Sequence, residues 1–125
     1  MIHLDTSFLI RALVRGSAED RSLRRYFVAG EQLGMSSVSW AEFLCGPVGA
    51  HEVELAMRIV QEPTPFDAAD AALAAKLFNV AGRRRGSLTD CMIAATAIRA
   101  EASLATANPA DFRKLETAGL KLAPA

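Results

Sequence analysis

The chain is poor in most of the residues that usually give a function away. It has two cysteines in 125 residues, Cys45 and Cys91, which form neither a C-x-x-C pair nor a zinc-ligand spacing. A disulfide scaffold and a cysteine-based zinc site are therefore excluded, and free thiols fit a reducing cytoplasm. There are two histidines. His3 sits inside an apolar run and reads as a packed residue, while His51 opens an amphipathic segment and reads as solvated. Neither has a nucleophile and a carboxylate around it, which argues against a hydrolytic triad. The glycines match no G-x-G-x-x-G and no Walker loop. No stretch approaches the ~18 uninterrupted apolar residues of a membrane span. Asp5 and Arg11 interrupt the N-terminal apolar segment too early for a signal peptide. Net charge is absent as well: 14 basic residues balance 14 acidic ones. A neutral chain has no global attraction to polyanions, so any nucleic-acid contact must be local.

What the chain does have is aliphatic residues. Apolar residues make up 51% of it and aromatics only 6%, so Ala, Leu, Val and Ile build the core of what reads as one domain over 1–125. Ile2 to Leu4 is a minimal strand, and Phe8, Leu9, Ala12 and Leu13 follow at helical spacing up to Arg15. Ser17-x-x-Asp20 has the capping-box pattern for a second helix that ends at Gly30. Leu33 to Ser36 reads as a strand, Ser39 to Cys45 as a short helix stopped by Gly46-Pro47, and His51 to Val60 as an amphipathic helix. Asp67 caps an Ala-rich helix to about Ala81, with Asp67-x-x-Asp70 as helix-start acids. A basic loop, Gly82 to Gly86, leads to a long helix over Thr89 to Ala100. Ser103 to Thr106 and Leu120 to Ala123 read as the last strands, with a helical piece around Phe112 to Leu115 between them. Short strands alternating with helices predict an α/β sandwich with a mostly parallel sheet.

Within this frame, three apolar runs end on carboxylates, at Asp5, Glu42 and Asp90, and a fourth acid, Asp111, follows Leu104 to Asn108. Acids far apart in sequence but placed at element boundaries are what a parallel sheet can gather beyond its carboxyl ends, where such sheets bind ligands. Each has a purely local reading too. Asp5 caps the helix beginning at Thr6, and Ser39-x-x-Glu42 and Ser87-x-x-Asp90 both match a capping box, worth about 1 kcal/mol. Asp111 reads more readily as a first-turn acid favourable to the helix dipole. Asp90 weighs the other way, because the helix it opens, Cys91 to Ile98, is apolar nearly all round and a buried carboxylate must be paired or bind metal.

Taken together, the apolar strand into Asp5-Thr6-Ser7, then Ser39-Trp40-Ala41-Glu42, then Ser87-Leu88-Thr89-Asp90 opening an Ala-rich helix, then Ala105-Thr106-Ala107-Asn108-x-x-Asp111-Phe112 closely resemble PIN-domain ribonucleases. The match runs the length of the chain in order, and its size resembles the VapC toxins of bacterial VapBC toxin–antitoxin systems. The resemblance implies a PIN-like α/β/α sandwich whose mostly parallel central sheet has about four or five short strands flanked by helices. It implies that Asp5, Glu42, Asp90 and Asp111 are the metal-binding and catalytic carboxylates. Asn108 stands where some members have an acid, and Thr6, Ser7 and Thr106 match hydroxyl residues that orient carboxylates or waters. The implied cofactor is Mg²⁺, with Mn²⁺ as a substitute; carboxylates crowded together repel one another until such an ion relieves them. Two such ions supply water activation for in-line attack on a phosphodiester and stabilisation of the leaving oxygen, giving 5′-phosphate and 3′-hydroxyl ends.

The implied substrate is RNA, transfer or ribosomal. Arg11 and Arg15, four apart on the helix leaving Asp5, and Arg83-Arg84-Arg85 just before the Asp90 segment are candidates to hold its phosphates; taken alone the last three read more readily as a solvated basic loop, and a cleft beside them shifts the balance. The implied partners are a cognate VapB-like antitoxin and a second copy of the chain, with no membrane involved. Two other classes remain open: a PIN nuclease acting in RNA processing rather than as a toxin, and a non-enzymatic binding module whose acids cap helices or hold a structural ion.

Overall fold

The computed structural model describes residues 1–124. Three short parallel strands, β1 (Ile2–Leu4), β2 (Leu33–Gly34) and β3 (Ser103–Ala105), form a sheet in the order β2-β1-β3. Around it lie α1 (Thr6–Ala12), α2 (Ala18–Val28), α3 (Ser37–Cys45), α4 (Ala50–Val60), α5 (Ala68–Val80) and α6 (Leu88–Arg99), followed by two 3-10 segments, Pro109–Asp111 and Arg113–Ala118. Successive side chains of a strand point to opposite faces, and the core divides accordingly. Ile2 and Leu4 join Phe8, Leu23, Tyr26, Met35 and Phe43 in one apolar cluster. Leu104 joins Leu77, Ala94, Phe112 and Leu115 in another. The sheet is thus sandwiched between two helical layers, as expected for an α/β chain.

The sheet has fewer strands than the sequence predicts. In place of a strand over Leu120 to Ala123, only an isolated bridge joins Leu122 to Leu104. Leu104 bonds Lys121 and Ala123 at 2.8 Å each, but Gly119 turns just before at φ 109° and Pro124 just after has no N–H to continue a ladder. The expected strand Leu33–Ser36 is cut to two residues. Its continuation pairs with Thr64 instead, through Thr64 N–H to the Met35 carbonyl and Ser37 N–H to the Thr64 carbonyl, both 2.8 Å.

Two capping-box readings also fail. α3 begins at Ser37, ahead of Ser39: Ser36 caps it by accepting from Val38 N–H at 3.0 Å, so Ser39 is interior and Glu42 lies in its second turn. At α6 the Ser87 hydroxyl caps nothing; it donates to the Arg84 carbonyl at 2.7 Å. Both acids are thereby released from local duty. By contrast, Asp67 and Asp70 do form a capping box, and Arg99 reaches both carboxylates at 2.9 Å.

Candidate active site

Parallel pairing makes β1, β2 and β3 end on the same edge, and each delivers chain to it. β1 runs directly into Asp5, whose N–H extends the ladder to the Ala105 carbonyl at 3.0 Å. β2 leads through Met35 to α3 and Glu42, β3 leads to Thr106, Asn108 and Asp111, and α6 brings Asp90 in its first turn. The result is a cavity of about 270 Å³ lined by Asp5, Thr6, Ser7, Ile10, Glu42, Asp90, Ile93, Asn108, Asp111 and Phe112. All four predicted carboxylates are here, with Thr6, Ser7 and Asn108.

Hydroxyl groups hold the acids in place. Asp5 is 5% exposed, and its Oδ1 accepts from Phe8 N–H and the Ser7 hydroxyl, each at 2.8 Å. Ser7 in turn accepts from Ala107 N–H at 3.1 Å and lies 3.4 Å from the Thr106 hydroxyl, which accepts from Asn108 N–H at 3.0 Å. Thr106 therefore acts from behind the cavity wall, tying the end of β3 to the start of α1. Thr6 Oγ1 lies 2.9 Å from Glu42 Oε1 and 3.0 Å from the Ser39 carbonyl, one proton facing two acceptors. Asp90 is half-buried and its carboxylate has no hydrogen-bond or ion-pair partner among the described residues.

The electrostatics follow from this crowding. Burial pushes the Asp90 carboxyl up to about 6; the charges of Asp111, Glu42 and Asp5 push the same way, and Arg84 opposes them. Asp5 is raised too, chiefly by burial, while the Thr106 hydroxyl, Phe8 N–H and Ser7 hydroxyl pull it down and Asp111 pushes it up. No three His, Cys, Asp or Glu side chains among the described residues close on a single point as a preformed metal cage. The donor set nonetheless fits a hard cation: the polar wall is all oxygen apart from the Asn108 amide, with no histidine or cysteine, which suits Mg²⁺ or Mn²⁺ rather than zinc.

Among the arginines the structure separates candidates that sequence could not. Arg84 lines a smaller adjoining cavity with Asp90 and Asp111, together with Lys114. Arg15 does not come to the carboxylates; it lines a groove on the other side of α1 with Asp20, Arg24 and Arg58. Arg83 bonds Asn79 and lies over the Phe78 ring at 5.4 Å. Arg11 and Arg85 are exposed and line neither carboxylate-bearing cavity. Ile10, Ile93, Phe112 and Lys114 complete the walls without having stood out as candidates in the sequence. For two of them the signal is periodicity: Ile93 stands three residues after Asp90 in α6 and Ile10 four after Thr6 in α1, on shared helical faces.

The family model described as PIN domain matches residues 2–117. The chain belongs to the PIN-domain family. Solved structures share this PIN fold. A chain of VapBC2 from Rickettsia felis, bound to a DNA fragment from their promoter, superposes with TM-score 0.76 at 20% identity, covering 98% of both chains. FitAcB from Neisseria gonorrhoeae matches with TM-score 0.71 at 20% identity over 99% of this chain and 97% of that one. VapBC-1 from nontypeable Haemophilus influenzae gives 0.72 at 21% identity over 98% and 97%. At these identities the likeness is one of fold. No curated protein matches the sequence significantly.

Proposed function

We propose that this PIN domain is a Mg²⁺- or Mn²⁺-dependent endoribonuclease, the cytoplasmic toxin of a toxin–antitoxin module, cutting transfer or ribosomal RNA. A VapB-like antitoxin holds it in check, and the chain acts as a homodimer. The observation that carries the reading is the convergence of Asp5, Glu42, Asp90 and Asp111 from four separate segments on one cavity, when helix capping would need none of them near another. The toxin assignment is supported by end-to-end likeness to chains whose structures are described as VapBC, FitAB and toxin–antitoxin complexes.

In this reading Asp5, Glu42, Asp90 and Asp111 would hold the cation. A divalent ion bound there supplies charge for the attacking water and the leaving oxygen of a phosphodiester. The chain's own residues do the rest. Ser7 and Phe8 N–H fix the rotamer of Asp5, Thr6 aims Glu42, and Ser7 with Thr106 keeps the β1 and β3 ends in register. The Asp90 carboxyl, pushed up to about 6 by burial and by the neighbouring acids, gains from a neutralising partner. Ile10, Ile93 and Phe112 give the cavity an apolar side that limits bulk water.

The test is cleavage of a panel of transfer RNAs and ribosomal RNA fragments by antitoxin-free protein in Mg²⁺, Mn²⁺ or EDTA, beside a folded Asp90→Asn variant. Metal-dependent cuts with 5′-phosphate ends, reduced about a hundredfold or more in the variant, are expected. Equal cutting by both proteins would trace the activity to a contaminant, and no cutting by either would overturn the reading.

A further inference from the structure

Asp90 and Asp111 belong to two cavities at once. Beside the carboxylate cavity lies a second one of about 60 Å³, whose wall adds Arg84, Ser87 and Lys114 to these two acids. It has room for several water molecules. Its cations come from different parts of the chain, Arg84 from the loop between α5 and α6 and Lys114 from the second 3-10 segment. The backbone of each is pinned: the Arg84 carbonyl accepts from Ser87 N–H at 3.1 Å and the Ser87 hydroxyl at 2.7 Å, and the Lys114 carbonyl from the Thr117 hydroxyl at 2.9 Å.

Neither cation closes a salt bridge inside the protein, although Arg84 is near enough to Asp90 to oppose the rise of its carboxyl. The ion pairs among the described residues involve Glu31, Arg24, Arg58 and Arg99, with none to Arg84 or Lys114. A pair of cations meant only to neutralise Asp90 and Asp111 would close onto them, within salt-bridge distance. These two instead line the cavity beside the acids, leaving their charge available to an anion from outside.

We propose that Arg84 and Lys114 form a phosphate clamp for the RNA strand, seating the phosphate next to the one at the carboxylates. The strand then passes from the acid cavity over Asp90 and Asp111 toward the α5–α6 loop. The inference rests on the nuclease reading. It selects one arginine of three: Arg83 is committed to Asn79 and Phe78, and Arg85 lines neither cavity. Cationic side chains on a held backbone position a phosphate strand without reading its bases.

The test is fluorescence anisotropy of a labelled, short single-stranded RNA across a salt series, in EDTA and again in Ca²⁺, with R84A/K114A, R84K/K114R and R83A/R85A. R84A/K114A should bind at least about tenfold more weakly, and its log K against log salt slope should flatten by about 0.7 for each phosphate that is no longer neutralised. R84K/K114R should keep most of both, and R83A/R85A should change binding less than about threefold. In Mg²⁺ the R84A/K114A loss should appear in KM with kcat little altered, and thermal melting should be unchanged. Unchanged affinity and slope in R84A/K114A, an equal loss in R83A/R85A, or no measurable binding by the wild type in either medium would overturn the clamp. Weakened binding in R84A/K114A, with no metal-dependent cleavage by the wild type, would keep the clamp and remove the nuclease reading. Cleavage with KM and slope unmoved in R84A/K114A would do the reverse.

Discussion

Asp5 serves the fold and lines the site with the same carboxylate. Its Oδ1 caps α1 through Phe8 N–H and takes the Ser7 hydroxyl, and the same group lines the cavity beside Glu42, Asp90 and Asp111. The two duties separate by substitution. Asp5→Asn keeps an acceptor for Phe8 N–H, so it should melt within a few degrees of the wild type while losing metal-dependent cleavage. Asp5→Ala leaves that buried N–H without a partner and should also lose roughly 1–2 kcal/mol of stability. Chemical denaturation of both variants in EDTA reads the difference; equal stability of the two would deny the cap its role. The capping reading thus holds for Asp5 and fails for Glu42 and Asp90. Ser39-x-x-Glu42 and Ser87-x-x-Asp90 have the right letters, but Ser39 is buried inside α3 and Ser87 bonds backward to Arg84. A four-residue pattern carries no information about where a helix has already begun. His3 is a packed residue, as its apolar neighbours in the sequence imply: 1% exposed, with both ring nitrogens unpartnered. Burial first, and the nearby N-terminal charge second, press its pKa down to about 4 and keep it neutral.

At the scale of elements, α6 shows why an alanine-rich helix is placed where it is. Ala94, Ala95 and Ala97 are fully buried, and small side chains let neighbouring elements approach closely, which brings the first turn and Asp90 to the sheet edge. Replacing Ala95 by Leu adds a branched side chain to a space with no room for it. It should cost about 1–3 kcal/mol by denaturant unfolding and lower cleavage by displacing Asp90; an unchanged midpoint would show that α6 is free to shift outward. The apolar run of this helix was readable at once, since nothing else explains Cys91 to Ile98. The short strands were less readable. β2 has two residues and β3 three, and their ends depend on partners such as Thr64 and Lys121 that lie far off in sequence.

For the whole molecule, the gathered charge makes stability depend on pH and on cations. The Asp90 carboxyl, raised from 3.8 to about 6, binds a proton more tightly folded than unfolded. Its contribution is neutral below about pH 4, grows unfavourable as pH rises from about 4 to about 6, where only the unfolded chain loses the proton, and is constant above. Allowing for solvent screening, the penalty at pH 7 is on the order of 1–2 kcal/mol. Asp90→Asn should therefore melt higher than the wild type in EDTA above pH 6, and the gap should vanish near pH 4. His3 acts oppositely over a similar range, since stability is lost as pH falls from 6.5 toward 4, but it affects both proteins alike and cancels in the comparison. Added Mg²⁺ should raise the melting temperature of the wild type and close the gap. A gap that is flat with pH, or a wild type indifferent to Mg²⁺, would mean the four acids do not act as one site.

The sequence by itself determined the α/β class and the order of the elements up to the missing strand over Leu120 to Ala123, and it singled out four carboxylates at element boundaries, because apolar runs and acids at their ends are properties of short segments. The tertiary structure alone decided which charges share a cavity. Arg11, Arg15 and Arg83 to Arg85 are indistinguishable as letters. α1 ends at Ala12, short of the expected Arg15, so Arg11 and Arg15 share no helix face and Arg15 lines the groove with Asp20 from the turn beyond, while Arg84, held by Ser87, meets Lys114 from a distant segment beside Asp90 and Asp111. Coulomb interactions depend on distance through space, and a linear chain does not carry that distance until it has folded.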